Sequence, residues 1–244
     1  MTRNPQPARR LRVMYDRLVS SFGPQQWWPA KTAFEVVIGA YLTQNTAWKS
    51  VERSIANLRA RGALSVRGLR AIPDSALRDL IRPSGFMLRK AAALKAFVAF
   101  LDARCAGNIE TLRRAALLDP LAVRKDLLGL PGVGPETADA ILLYALDVPA
   151  MVVDEYLRRI AVRHGLAPQK ATYHQIQGLA EEAFATDRAA GSPGDLARHY
   201  NEFHALVVQT GKLHCGRIPR CDGCPLAFDL KKARPAGAVH KMIR

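Results

Sequence analysis

Residues 127–159, LLGLPGVGPETADAILLYALDVPAMVVDEYLRR, constrain the chain more than any other stretch. A helix over 123–128 ends before Leu130-Pro131-Gly132-Val133-Gly134, and Pro135 opens a new one. Two glycines two apart allow backbone conformations that other residues resist, and let the chain approach a ligand closely. Proline suits the first helical position, where its missing N–H costs nothing. Glu136 falls in the first turn, where the helix dipole favours an acid. The amides of that turn are able to hold a phosphate oxygen, and such a hairpin grips nucleic-acid backbone without reading bases. An ordinary joint between two helices begins the same way. The residues beyond the turn are more specific. A short helix over 137–146 ends near Asp147-Val148-Pro149. Apolar residues 151–153 then lead to Asp154, which opens another helix. Asp154 reads as a cap, and also as a carboxylate at a helix start, one helix away from the backbone grip.

The rest of the chain carries the same helical signature. Leu11, Met14, Tyr15 and Leu18 fall at i, i+3, i+4 and i+7, the spacing of a buried stripe. Residues 34–42 and 48–58 carry further apolar faces. Asp74 is expected to cap 75–81, ended by Pro83-Ser84-Gly85, and 87–101 is rich in alanine and leucine. No sustained alternation of period two marks a strand. The expected fold is all-α, with some ten short helices, and its loosest segments are the first ten residues, 187–193 and the tail beyond 231. With 49% of its 244 residues apolar, the chain supports a sizeable core. Its 36 Lys and Arg against 21 Asp and Glu give a net charge of +15. That surplus points to a polyanionic partner, nucleic acid first. No apolar run is long enough for a membrane span, and the N-terminus has no secretion-type core. Cys105 stands alone, whereas Cys215, Cys221 and Cys224 cluster. That favours a metal or cluster site in a reducing compartment over disulfides, and a cytoplasmic protein is expected.

Leu130 to Gly134, the Pro149 turn and Asp154 together resemble the helix-hairpin-helix, Gly/Pro-Asp superfamily of DNA glycosylases, of the endonuclease III kind. The resemblance runs over residues 27–224. It implies two all-α lobes: a helical barrel with the hairpin over 31–148, and a second lobe built from 1–30 and 149–244. Double-stranded DNA containing a damaged base would lie in the cleft between them. Gly132, Val133 and Gly134 would hold the DNA backbone, and Asp154 would be catalytic. No feature demands an oligomer, so a monomer is expected. Bifunctional members carry a lysine two residues after the second hairpin glycine, and this chain has Glu136 there. A carboxylate does not form a Schiff base. The expected enzyme therefore uses water as nucleophile and does not cut the strand.

The pattern WWP…FE…LTQNT…RPSGF, from Trp27 to Phe86, is similar to the 3-methyladenine glycosylases related to endonuclease III. By that resemblance Trp28 and Trp48 line the pocket for the flipped base, with Lys212 as a further pocket residue, and Gln44 fills the gap left in the duplex. Paired tryptophans before a helix also serve as core, and Gln44 also reads as a capping amide. The chemistry agrees with a base pocket. A base must leave the stack to be reached, ring-alkylated purines are cationic, and a dry aromatic face attracts a cation by about 2 kcal/mol. Such a base is already a good leaving group. One carboxylate then suffices to stabilise a positive, oxocarbenium-like sugar and to position water. Two other readings stay open: a glycosylase for other damaged or mispaired bases, and a non-catalytic hairpin protein that binds DNA and has no need of Asp154.

Relatives of the endonuclease III kind often bind a [4Fe-4S] cluster through four cysteines in a C-terminal loop. Cys215, Cys221 and Cys224 have suitable spacing, and CxxCP is an iron–sulfur style of run. The fourth ligand is missing, with Asp229 and Leu230 near its place. The ligand set is therefore incomplete. A cluster with Asp229 or His214 as the unusual ligand, a zinc site of three cysteines and a histidine, and a loop without metal all remain open, each with a structural role.

Overall fold

A computed structural model describes residues 6–25 and 30–230. In chain order its helices are α1 (Gln6–Phe22), α2 (Ala33–Thr43), α3 (Trp48–Ala60), α4 (Val66–Ala71), α5 (Asp74–Leu80), α6 (Met87–Cys105), α7 (Ile109–Leu118), α8 (Pro120–Leu128), α9 (Pro135–Ala145), α10 (Glu155–Arg163), α11 (Tyr173–Ala183), α12 (Ala185–Ala190), α13 (Pro193–Leu213) and α14 (Ala227–Leu230), with a 3-10 turn at Arg82–Ser84. No strand occurs among the described residues, and the fold is all-α. The helices outnumber the expected ten because short ones, such as α4, α12 and α14, carry too few turns to show a periodic stripe. Residues 1–5 of the first expected loose segment lie outside the described residues, and what is described of that segment and of 187–193 is largely helical. Helix α1 already begins at Gln6, and 187–193 holds the end of α12 and the capping box of α13, in which Ser192 and Asp195 satisfy each other's backbone amides. The tail beyond 231 lies outside the described residues. Asp74 is the first residue of α5, not its cap. That place belongs to Pro73, which makes no side-chain cap bond.

The chain divides into two compact units, one of Trp28–Ala150 and one of Met1–Trp27 with Met151–Arg244. In the first, α2 and α9 are apolar almost all round, and such helices belong inside. Residues 34–42 of α2 are all buried, as are 137–143 of α9. Helices α3, α6 and α8 pack around them. Thr32 caps α2 by accepting from the Glu35 amide at 3.1 Å. A buried ion pair joins the helices on either side of the hairpin: Arg124 of α8 grips Asp139 of α9 at 2.6 and 3.0 Å, and Asp139 is 1% exposed.

The second unit is centred on aromatic rings. Phe184 lies 5.0 Å from Tyr15, 5.3 Å from Phe203 and 5.6 Å from Tyr200 between ring centroids, in edge-on or tilted pairings. Helix α10 packs closely on α13 because Gly211 has no side chain. A Cβ there would stand 2.1 Å from the Tyr156 ring and 2.8 Å from the Tyr156 Cβ. Replacing Gly211→Ala is therefore expected to lower stability by about 1–3 kcal/mol through overpacking. Thermal unfolding checks this, and an unchanged midpoint would mean that Tyr156 swings aside freely.

Candidate functional site

The site is built from the hairpin outward. Helix α8 ends at Gly129, whose amide donates to the carbonyls of Lys125 and Asp126 at 3.2 and 3.1 Å. The Val133 amide closes the turn onto the Leu130 carbonyl at 3.2 Å. The two glycines do different work. Gly132 has φ +76°, the left-handed region that favours glycine. Gly134 is extended, at φ −97° and ψ 179°, and caps α9 ahead of Pro135. A Cβ at Gly134 would meet nothing within 4 Å, so its bareness keeps the outer face of the turn open. Val133 points inward and is buried, whereas Gly132, Gly134 and Glu136 are exposed.

Gln44 sits against this hairpin. Its side-chain amide donates to the Gly132 carbonyl at 2.8 Å and to Thr137 Oγ1 at 2.9 Å. The loop that carries Gln44 is held in turn by a lysine that sequence reasoning missed. Lys90 of α6 is 4% exposed. Its ammonium donates to the Leu42 carbonyl at 2.7 Å, to Thr46 Oγ1 at 2.7 Å and to the Ser84 carbonyl at 2.8 Å. Asn45, between these anchors, takes φ +50°. Lys90 shares α6 with Arg89, Lys95, Asp102 and Arg104, so the sequence does not mark it out, and such residues usually reach water. Asp139, a lone acid within ADAILLYA, was overlooked for the same reason.

Burial pushes the Lys90 amine down to about 8. The unfolded chain keeps that proton up to the ordinary value of 10.5, so across this window unfolding takes up a proton and rising pH opposes it. The stability of the wild type relative to Lys90→Met is therefore expected to increase as pH rises from about 8 towards 10.5. Denaturant titrations of both proteins across that window check it. A constant difference would mean that the ammonium titrates as it does in water.

Trp48 comes after the same loop and opens α3. It is half-buried and lines a cavity of about 240 Å³ with Gly39, Ile55 and the charged residues Glu35, Glu52 and Arg59. Its indole N–H donates to Glu52 at 2.9 Å. Trp28 lies outside the described residues.

In the other unit, Asp154 caps α10. One carboxylate oxygen accepts from the Leu157 amide at 2.7 Å, and the second stands 3.7 Å from His204 Nε2 of α13. The approach to Asp154 is fixed from outside: the Val153 amide donates to the Tyr173 hydroxyl at 3.3 Å, and the Gln177 amide donates to the Met151 carbonyl at 2.9 Å. His204, another residue the sequence did not single out, is 6% exposed. Lys212 is exposed in the last turn of α13.

The structure brings Cys215, Cys221 and Cys224 onto one small cavity of about 30 Å³ beside α10. Among the described residues, no group of three or more Cys, His, Asp or Glu side chains is arranged to hold a metal ion. Asp229 does not supply a fourth ligand. It is 1% exposed, and both its oxygens are engaged, with Arg10 Nε at 3.0 Å, Arg10 Nη2 at 2.7 Å and His164 Nδ1 at 2.9 Å. His214 faces the Arg220 carbonyl at 3.2 Å through its Nδ1. The residues present do not fit a four-ligand cluster, and the start of the loop is held instead by Arg163, which donates to Cys215 Sγ at 3.1 Å and to the carbonyls of Gly216 and Arg217.

Burial works against ionising Asp229, but Arg10 and His164 outweigh it and hold the carboxyl below its ordinary range. The pair therefore stabilises the fold above that range, and the contribution is lost as pH falls through the lowered value. Removing one partner, as in Asp229→Asn, is expected to reduce stability by about 3 kcal/mol. Chemical unfolding at neutral pH checks this, and the deficit relative to wild type should shrink in acid.

The model of the HhH-GPD superfamily of base excision DNA repair proteins matches residues 38–186, and the chain belongs to that superfamily. A candidate DNA repair glycosylase of Methanocaldococcus jannaschii is 42% identical over 213 residues, which cover 87% of this chain and 92% of that one. Endonuclease III homolog 1 of Arabidopsis thaliana is 29% identical over 88% of this chain and 55% of its own length. Among solved structures, the Helicobacter pylori 3-methyladenine DNA glycosylase bound to 1,N6-ethenoadenine aligns with a TM-score of 0.69 at 27% identity, covering 83% of this chain and 97% of that one. An endonuclease III–DNA complex has the same fold, with a TM-score of 0.74 at 23% identity over 92% of this chain and 97% of that one. The protein is a DNA glycosylase of base excision repair.

Proposed function

We propose that the protein is a monofunctional glycosylase that hydrolyses the N-glycosidic bond of alkylated bases, such as 3-methyladenine, in double-stranded DNA. Asp154 carries the reading. It commits one oxygen to the α10 cap and keeps the other beyond hydrogen-bond distance of its neighbour His204. That oxygen is the group to face the positive charge that develops on the sugar, and to orient the attacking water. A cationic alkylated base leaves without strong acid catalysis, so no second acid is required. Trp48 supplies an aromatic wall for the flipped base, and the likeness to the H. pylori 3-methyladenine glycosylase supports that substrate class. Exposed Gly132 and Gly134 give the DNA backbone close access to the start of α9. Gln44 would exchange its hairpin bonds for the gap in the duplex, and Lys212 would be a further residue of the base pocket.

Glu136 stands exposed in the first turn of α9, where strand-cleaving relatives carry their amine. A carboxylate does not form the Schiff base through which the strand is cleaved. The cysteine loop, in this reading, holds no iron–sulfur cluster and keeps its shape through Arg10, Asp229, His164 and Arg163.

The test is base release from methylated duplex DNA. Wild type is expected to free 3-methyladenine, and Asp154→Asn to be slower by about 100-fold or more. Borohydride should trap no covalent complex. Full activity in Asp154→Asn would overturn the mechanism, and efficient trapping would overturn the monofunctional assignment.

A further inference from the structure

We propose that Glu52 is a specificity-determining residue that makes the Trp48 cavity select positively charged bases over neutral ones. The inference rests on the reading of the protein as an alkylated-base glycosylase, and deepens it from an aromatic pocket to an electrostatic one.

The cavity is formed by two helix faces. Glu35 and Gly39 lie one turn apart on α2, and Trp48, Glu52, Ile55 and Arg59 fall at i, i+4, i+7 and i+11 on α3. At about 240 Å³ it suits a single heterocycle; pockets for larger ligands run to roughly 300–1,000 Å³. Its walls are apolar except for three charged groups. Glu35 is buried and already matched: Arg59 donates to one of its oxygens at 2.5 Å, and the Lys31 amide lies 3.5 Å from the other. That pair cancels within the wall. Glu52 is left as the net charge of the cavity, held in place by the Trp48 indole at 2.9 Å.

A net negative cavity is unusual in a chain of charge +15 that binds a polyanion. Its consequence lies in the chemistry of the guest. A neutral ring gains the aromatic face alone. A ring carrying positive charge gains the face, by cation–π attraction, and the carboxylate beside it. The hydrogen bond from Trp48 couples the two, because an indole donating to a carboxylate has its π face enriched in electron density. Glu52 is exposed in the free protein, and DNA closing over the cavity mouth removes the water that screens it.

The experiment compares two lesions with one variant. Release of 3-methyladenine, cationic as the nucleotide, and of 1,N6-ethenoadenine, a neutral adduct, is measured from duplex DNA for wild type and Glu52→Gln. Glutamine keeps the shape and an oxygen for the Trp48 hydrogen bond, and removes the charge. The position is exposed, so the fold should be kept, and the melting temperature verifies it. The expected result is an about tenfold fall in the ratio of 3-methyladenine to ethenoadenine release, the scale of one charge-assisted hydrogen bond. If wild type releases 3-methyladenine and Glu52→Gln leaves the ratio unchanged, the assignment of Glu52 is wrong while the glycosylase reading stands. If wild type releases neither base, the alkylated-base reading fails and this inference fails with it.

Discussion

A buried ammonium holds together the loop that carries Gln44 and leads to Trp48. Lys90 satisfies the end of α2, the hydroxyl of Thr46 and the carbonyl of Ser84 with one group. Burying a charge is unfavourable unless every donor finds an acceptor. Here three oxygens converge on three N–H bonds, and burial still pulls the amine down to about 8. The loop between α2 and α3 is thereby fixed from below. Gln44 reaches from that loop to the hairpin, and Trp48 opens α3 at its end. The hairpin, Gln44 and the Trp48 cavity share one framework because one lysine anchors the loop between them.

The other unit solves a different problem: holding a carboxylate at a helix start and a cysteine loop beyond the last long helix. Asp154 is set by its cap bond and by the segment that Tyr173 and Gln177 pin. Gly211 lets Tyr156 lie against α13. Beyond α13, α14 is secured by an ion pair and a hydrogen bond at Asp229. Asp229 ties α14 to α1 through Arg10 and to the end of α10 through His164. A bidentate guanidinium–carboxylate pair has fixed geometry. It therefore imposes a definite position on the chain.

Charge is distributed by function. The positive surplus of the chain suits a phosphate backbone. In the proposed reading, acids stand where positive charge is to be met or an amine to be absent: Asp154 for the sugar, Glu52 for the base, and Glu136 in place of an attacking amine. Asp139 and Glu35 are the structural counterpart, each buried and each matched by an arginine.

The sequence by itself determined the all-α fold, the hairpin, the helix start at Asp154 and the family. These rest on local rules: apolar spacing of a helical period, glycine and proline at a turn, and a carboxylate ahead of a helix. It also showed that a fourth cysteine was missing. Only the tertiary structure decided what Asp229, near that place, is bonded to, because Arg10 and Asp229 lie 219 residues apart in sequence and 2.7 Å apart in space. Lys90, His204, Asp139 and Glu52 were illegible for a related reason. On a single helix a charged side chain reads as a solvated face, and only the packing of another element against it decides whether it meets water, a partner or a cavity.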